Sequence, residues 1–212
     1  MGKREAARSE AAFMRGDTGV DGGATEEKAD QQELEQGKAR EQFLRGRAYL
    51  GREFLTWLLW RSEGGEPLLT FEETALTALF TGRIVMKAMT GDVVELGAKG
   101  AGAPYSKLVR EGLQRGLLVH LARLTLTHGE RSYEVTLDAE FLDVRAARLP
   151  ELLTEEEDDR LAERLHLTEQ LSAMIEAILK SFFAVRSTPR WRKEIVPELK
   201  RWMSAPEGKK ER

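Results

Sequence analysis

The chain has 212 residues, with 33 Lys and Arg against 36 Asp and Glu, three His and no Cys. Its 41% hydrophobic and 33% charged residues are typical of a globular protein, and no apolar run approaches the ~20 residues that span a bilayer. The absence of cysteine excludes disulfides, thiol nucleophiles, thiolate zinc sites and iron–sulfur clusters. We therefore expect a cytoplasmic protein with no membrane partner.

The two ends of the chain differ from its middle. Residues 1–33 carry five basic and eight acidic side chains and few apolar groups besides alanine. So little apolar surface cannot offset an ordering cost of ~1–2 kcal/mol per residue, which predicts disorder. We predict a second disordered tail over residues 204–212, and a single α+β domain over residues 34–203.

The first predicted element of this domain is a helix. Apolar residues recur at steps of three and four over residues 34–63, and Gly64 and Gly65 end the pattern. The stretch 54–60 (FLTWLLW) is apolar on nearly every side, which predicts burial between other elements.

Strand patterns follow from Leu68 to Val144. Residues 74–80 and 83–89 resemble a hairpin that turns at Thr81–Gly82, and a second turn at 90–92 leads into a strand over 93–97. Residues 117–127 and 131–137 form another predicted hairpin, which turns at 128–130.

Between these strands, the glycine-rich residues 97–102 precede a short predicted helix from Tyr105 to Gln114, with Pro104 at its start. This segment lacks the spacing of a phosphate-binding loop, so we interpret it as a connector.

Two helices are predicted after the strands. Thr154 and Glu157 have the spacing of a capping box, and the helix that follows should run to about Val185. Thr188–Pro189 then starts a helix that Pro197 interrupts. The helix that follows Thr154 is predicted to have a buried stripe of Leu161, Leu165, Leu171, Ile175, Ile178 or Leu179, and Phe182. The predicted fold class is α+β: an antiparallel β-meander packed by long helices at the N- and C-terminal ends.

Charge is segregated within the domain. Residues 99–123 have a net charge of +4, residues 151–164 of −5 and residues 186–203 of +4. The basic stretches can form a binding surface or pair with the acidic stretch, and the sequence leaves both open. Trp191 and Trp202, which basic residues flank, can stack on bases or dock on the body, and we favour docking.

No catalytic constellation is apparent. The three imidazoles, His120, His128 and His166, lack the paired spacing of a metal motif, so we interpret them as structural. The acidic residues Asp138, Glu140 and Asp143 can bind a divalent cation or shape a turn, and we favour the turn. We therefore predict a protein that is not an enzyme and has no metal and no cofactor.

Several of these segments resemble a known family. Residues 50–63 (LGREFLTWLLWRSE), 70–100, 112–126 and 131–149, with the acidic linker and long helix after them, are similar to the C-terminal portion of divergent recombination-associated RdgC proteins. The resemblance implies a non-catalytic DNA-binding protein without sequence preference, which forms a ring-like dimer and restrains the RecA recombinase.

DNA is thus the expected partner, together with a second copy of the chain. The resemblance makes Lys99, Lys107, Arg110 and Arg115 the phosphate contacts to test, and the second basic stretch adds Arg190, Arg192 and Lys193. The alternative is a protein-interaction or dimerisation module without nucleic-acid binding, with residues 50–60 or 189–203 as the interface.

Overall fold

The computed structural model describes residue 46 and residues 49–88, 95–100 and 102–205, all within one compact unit, Phe43–Arg212. The predicted tail 1–33, the start of the first predicted helix and the predicted turn 90–92 lie outside the described residues, as does 206–212. The elements are α1 (49–63), β1 (Leu69–Phe71), β2 (Thr74–Lys87), β3 (Glu95–Ala98), a 3₁₀ turn (Ala103–Tyr105), α2 (Lys107–Gln114), β4 (Leu118–His128), β5 (Arg131–Asp138), β6 (Asp143–Arg148), α3 (Glu157–Arg186), a π-helical turn (Trp191–Ile195) and α4 (Val196–Ser204).

The six strands form one antiparallel sheet in the order β1-β2-β4-β5-β6. β4 pairs with one edge of β2. β1 and β3 both pair with the other edge, β1 at the start of β2 and β3 at its end. The β4–β5 hairpin turns at Gly129 and Glu130, with His128 opposite Arg131, as predicted. The predicted α+β class, with an antiparallel meander and helices at both ends, is confirmed.

Strand β2 differs from the prediction. It runs without a break from Thr74 to Lys87, so the hairpin predicted over 74–89 is wrong. Gly82, with φ of +76°, lies where the pairing with β4 shifts between Phe80 and Ile84. The glycine therefore serves a β-bulge, which keeps both halves of β2 in one sheet, and not a chain reversal.

Helix α1 is buried against the sheet. Residues 54–59 are all buried, as the apolar run predicted. The Thr56 hydroxyl accepts a 3.0 Å hydrogen bond from Val119 N–H on β4, and the rings of Phe54 and Trp57 contact Phe182 of α3. The segment 50–60 therefore belongs mostly to the core and does not offer a second copy of the chain an apolar face.

Helix α3 begins differently from the prediction. Its N-cap is Glu156, and Thr154 bonds Glu163 instead of forming a capping box. Leu161 and Leu165 are 61% and 57% exposed, so their assignment to the buried stripe is wrong. The first buried residue of α3 is Leu167, and the stripe continues as predicted through Leu171, Ile175, Ile178 and Phe182.

The C-terminal helical segment packs on the body. Val196 N–H donates to the Trp191 carbonyl, five residues back, so a π-helical turn precedes Pro197, which itself has no N–H to donate. Trp191 is 2% exposed and packs edge-on against Phe182, which confirms docking for this tryptophan. Within the described residues, no helix combines the length and apolar character needed to cross a bilayer.

Candidate nucleic-acid interface and a buried polar cluster

The two basic stretches of the sequence meet where α2 contacts α4. Arg110 on α2 donates to the Trp202 carbonyl at 3.2 Å, and its guanidinium lies 5.3 Å from the centre of the Trp202 ring. Gln114 donates to the Ala205 carbonyl at 3.3 Å. The Trp202 indole N–H donates to Glu63 at the end of α1. Through these contacts, α2 of the first basic stretch lies against α4 of the second.

Arg110 has a structural role at this contact. Its Nη2 also lies 3.5 Å from Glu63, and its side chain is 24% exposed. Because the guanidinium bonds Glu63 and covers Trp202, it is poorly placed to meet a phosphate.

The other six predicted phosphate contacts are exposed. Lys107 pairs with Glu111, and Arg190 pairs with Glu194, one turn along the helix in each case. Such exposed pairs contribute at most ~1 kcal/mol and exchange readily for another anion. Four cations form no ion pair with any described residue: Lys99, Arg115, Arg192 and Lys193.

The acidic stretch 151–164 does not form ion pairs with the described residues of the basic stretches. Glu163 accepts hydrogen bonds from Leu153 and Thr154 of its own segment. Among the described residues, no ion pair joins this stretch to either basic stretch. Pairing between the acidic and basic stretches, which the sequence left open, is therefore not seen among the described residues.

An exposed aromatic ring lies beside these cations. Tyr105, two residues before Lys107 in the chain, is 49% exposed. The charge of Glu63 is close enough to affect the pKa of its phenol. Partial burial, followed by the Glu63 charge, raises the pKa of the Tyr105 phenol, so the ring stays neutral at physiological pH. Sequence reasoning looked for base-stacking groups among the tryptophans and missed this ring, although it stands between two lysines of the glycine-rich segment.

The glycine-rich segment leads from β3 into α2. Ser106 caps α2: its hydroxyl donates to the Ala103 carbonyl at 2.7 Å and accepts from Val109 N–H at 3.4 Å. One donor at this helix start is therefore already used by the chain itself.

A second group of polar residues lies at the far end of the β4–β5 hairpin. His120, Asp138 and Glu140 each offer one ligand atom, and these three atoms lie within 4.8 Å of one another. His120 and Asp138 are 7% and 5% exposed, whereas Glu140 is exposed. Ala139 N–H donates to the His120 carbonyl at 2.8 Å, which holds the two chain segments together.

Burial lowers the pKa of His120. It is the main cause of the lowered pKa, and the charges of Lys87 and Arg52 add to it, against Asp138 and Glu140. The His120 Nδ1 atom is buried and has no hydrogen-bond partner. Buried polar atoms without a partner are rare in native structures.

Asp138 is the most strongly bonded member of this cluster. Its Oδ1 accepts from Glu140 N–H at 2.7 Å, and its Oδ2 accepts from Arg145 Nε and Nη2 at 2.9 and 2.8 Å. Asp143, which the sequence grouped with these acids, lies instead 3.6 Å from Arg145 Nε. In the structure, His120 and not Asp143 lies with Asp138 and Glu140.

The register of the β4–β5 hairpin indicates this cluster, and the sequence analysis did not use it. With His128 opposite Arg131, each earlier residue of β4 meets a later residue of β5, and Leu121 lies opposite Asp138. Extending that register by one residue places His120 beside Ala139, between the two acids.

A third exposed feature is the edge of the sheet. All six residues of β6, Asp143–Arg148, are exposed, and no other described strand pairs with its outer edge. One of these exposed residues, Val144, has a large apolar side chain.

Comparison of the chain with models of protein families, with curated proteins and with solved structures found no match.

Proposed function

We propose that this is a cytoplasmic, non-catalytic protein that binds the phosphate backbone of DNA without sequence preference. The observation that supports the proposal most directly is the α2–α4 contact, where residues of the two basic stretches meet. We propose that the exposed cations of these stretches form one cationic surface. We define this cationic surface by Lys99, Lys107, Arg115, Arg190, Arg192 and Lys193.

Local charge, and not net charge, matters for such binding. The whole chain has a formal charge of −3, but the residues that meet at this contact belong to stretches of +4 each. Lysines and arginines that displace counterions from phosphates provide most of the affinity of non-specific binding. Tyr105 adds a stacking group, of a kind worth ~1–3 kcal/mol per base, should a single strand bind.

Salt dependence of duplex binding tests this proposal. We expect log Kd for a labelled 20-bp duplex to rise linearly with log salt concentration, with ~0.9 units of slope for each phosphate contact. The charge reversals K99E/R115E and R192E/K193E each remove two proposed contacts, one pair from each basic stretch. Each pair should therefore lower the slope by about two and weaken binding at low salt.

The matched control is R160E/R164E, at the exposed start of α3. It changes the net charge by the same four units, but it lies in the acidic stretch. Equal weakening by the control would mean that only net charge matters. No binding at 25 mM salt, or an effect from only one of the two test pairs, would contradict a single cationic surface.

The family resemblance adds an expected role in recombination. A protein that covers duplex DNA should slow RecA-promoted strand exchange, and K99E/R115E should relieve that inhibition. Full inhibition by the charge-reversed protein would separate the effect from DNA binding.

The second candidate function is self-association through β6. If two copies of β6 pair in antiparallel fashion about a two-fold axis, Asp143 of one copy lies opposite Arg148 of the other, and Val144 lies opposite Ala147. An exposed strand edge is a ready template for such pairing, and the opposite charges favour this register. The occupant we propose for the edge is therefore a second copy of this chain.

A charge swap tests this dimer. D143R alone and R148D alone place like charges opposite each other and should increase the dimer dissociation constant, whereas D143R/R148D should restore it. Sedimentation velocity over a range of concentrations measures the change. A wild-type monomer at all concentrations, or a double variant as weak as the single variants, would contradict pairing through β6.

A further inference from the structure

We propose that His120, Asp138 and Glu140 form a binding site for a divalent transition-metal ion of the Zn²⁺ or Mn²⁺ type. The ligand set is one imidazole nitrogen and two carboxylate oxygens, which both ions accept. The site is distinct from the cationic surface proposed for DNA, and it requires no DNA for its test.

The geometry is close to that of a coordination sphere. Two ligands on a tetrahedral ion at ~2.1 Å lie about 3.4 Å apart, so atoms within 4.8 Å of one another need to approach by at most about 1.4 Å. His120 and Asp138 are buried and held by the strand pairing, while the exposed Glu140 can move onto the ion.

The unpartnered imidazole nitrogen is the second, independent observation. Among the described residues, only His120 Nδ1 and Arg52 Nε are buried side-chain polar atoms without a hydrogen bond. The His120 side chain is more than nine-tenths buried and belongs to the group whose ligand atoms converge. A metal ion bound through Nδ1 would give this nitrogen a partner that the protein itself does not supply.

The carboxylates retain capacity for an ion. A carboxylate offers about four lone-pair positions, and Asp138 uses three of them for Glu140 N–H and for the two Arg145 donors. The Glu140 side chain has no hydrogen bond or ion pair with the described residues. Two carboxylate oxygens are thus available beside the imidazole.

Arg145 competes with the ion. Its guanidinium carries a positive charge 2.8 Å from Asp138, and its side chain is 47% exposed, so it can leave Asp138 for solvent. Lys87 and Arg52 are further cations near His120. The site should therefore bind more weakly than a dedicated metal centre, and removal of the Arg145 charge should strengthen it.

Calorimetric titration of the tag-free, EDTA-treated full-length chain with ZnCl₂, MnCl₂ and MgCl₂ tests the proposal. We expect one Zn²⁺ or Mn²⁺ per chain and much weaker Mg²⁺ binding. E140Q should lower the affinity at least tenfold, whereas R145Q should raise it severalfold. Since both residues are exposed, neither substitution should unfold the protein, and circular dichroism checks this.

Controls separate this site from incidental binding. E130Q in the β4–β5 turn and R160Q at the start of α3 make the same charge changes at exposed positions outside the cluster and should leave the affinity unchanged. Co²⁺ adds a spectroscopic readout, because its visible absorption bands report coordination and should be lost in E140Q and in H120Q. No binding of Zn²⁺ or Mn²⁺ at 1 mM, or equal affinity in E140Q and E130Q, would overturn the proposal.

Discussion

Trp202 donates its indole N–H to the Glu63 carboxylate at 2.7 Å, across 139 residues of chain. The same carboxylate meets Arg110 of α2, so the last helix, α2 and the end of α1 converge on one acidic side chain. This convergence determines where the second basic stretch lies relative to the first. The proposed DNA surface thus depends on an acidic residue that contacts no DNA.

The first prediction concerns this hydrogen bond. Trp202→Phe should lower the free energy of unfolding by about 2 kcal/mol, because a hydrogen bond to a charged, partly buried group is lost. Trp60→Phe is the matched control, since Trp60 packs against the core but donates no hydrogen bond to the described residues. Urea denaturation measures both, and equal losses would show that only the indole volume matters.

The second prediction concerns the close approach of α1 to the end of β5. A Cβ atom at Gly51 would lie 1.9 Å from the Ala139 carbonyl oxygen, so the backbones would have to separate. We expect Gly51→Ala to destabilise the fold by about 3 kcal/mol.

Its control lies in the same helical region. A Cβ atom at Gly46 meets nothing within 4 Å, so Gly46→Ala should leave stability unchanged or raise it by up to about 1 kcal/mol. Thermal denaturation compares the melting temperatures of the two variants. Similar values would contradict the close packing of α1 against Ala139.

The third prediction concerns the aromatic cluster around Phe182. This fully buried ring contacts Phe54, Trp57 and Trp191, whereas its neighbour Phe183 is 40% exposed. Phe182→Ala should therefore lower the free energy of unfolding by about 3–5 kcal/mol. Phe183→Ala should have an effect of less than about 1 kcal/mol in the same denaturant titration. The reverse order would show that α3 is rotated in the folded protein.

The fourth prediction concerns pH. Hydrogen bonds from Leu153 N–H, then from the Thr154 hydroxyl, lower the pKa of Glu163 from its usual 4.5. Because the folded-state pKa lies below the unfolded one, this carboxylate stabilises the fold above pH 4.5, and the stabilisation is lost as the pH falls through the folded-state pKa. Melting temperatures from pH 7 to pH 3 should fall less steeply for Glu163→Gln.

Glu169→Gln, on an exposed position of the same helix, provides the comparison. It should keep the acid sensitivity of the wild type. Identical pH profiles for the two variants would show that the Glu163 contacts do not form in solution.

Local patterns predicted much of the fold because they reflect local physics. The strict alternation of β4 and the Gly129 turn identified the β4–β5 hairpin, and the apolar run at 54–60 identified the buried part of α1. The end of α1 at Gly64 and Gly65 is also as predicted, with a positive φ at Gly65.

Tertiary pairing decided the elements that were predicted wrongly. Thr81–Gly82 has the composition of both a turn and a bulge, and only the pairing of both halves of β2 with β4 distinguishes the two. Similarly, Thr154 has two acidic residues within reach, and it bonds Glu163 because the chain before α3 folds back along the helix.

The candidate sites required the same long-range information. Composition showed two basic stretches, but not that α2 and α4 would join them, nor that Arg110 would be used in joining them. His120 read as an ordinary strand residue, because its two acidic neighbours lie eighteen and twenty positions later in the chain.

The exposure of the start of α3 has a consequence for local unfolding of the protein. Its first ten residues, about 15 Å of helix, are not buried, while the following turns carry six buried side chains. Backbone amides over residues 161–166 should therefore exchange with deuterated solvent through local fraying, orders of magnitude faster than those over 171–182, which open only with the whole domain. A single continuous helix would thus contain two regions of very different thermodynamic protection.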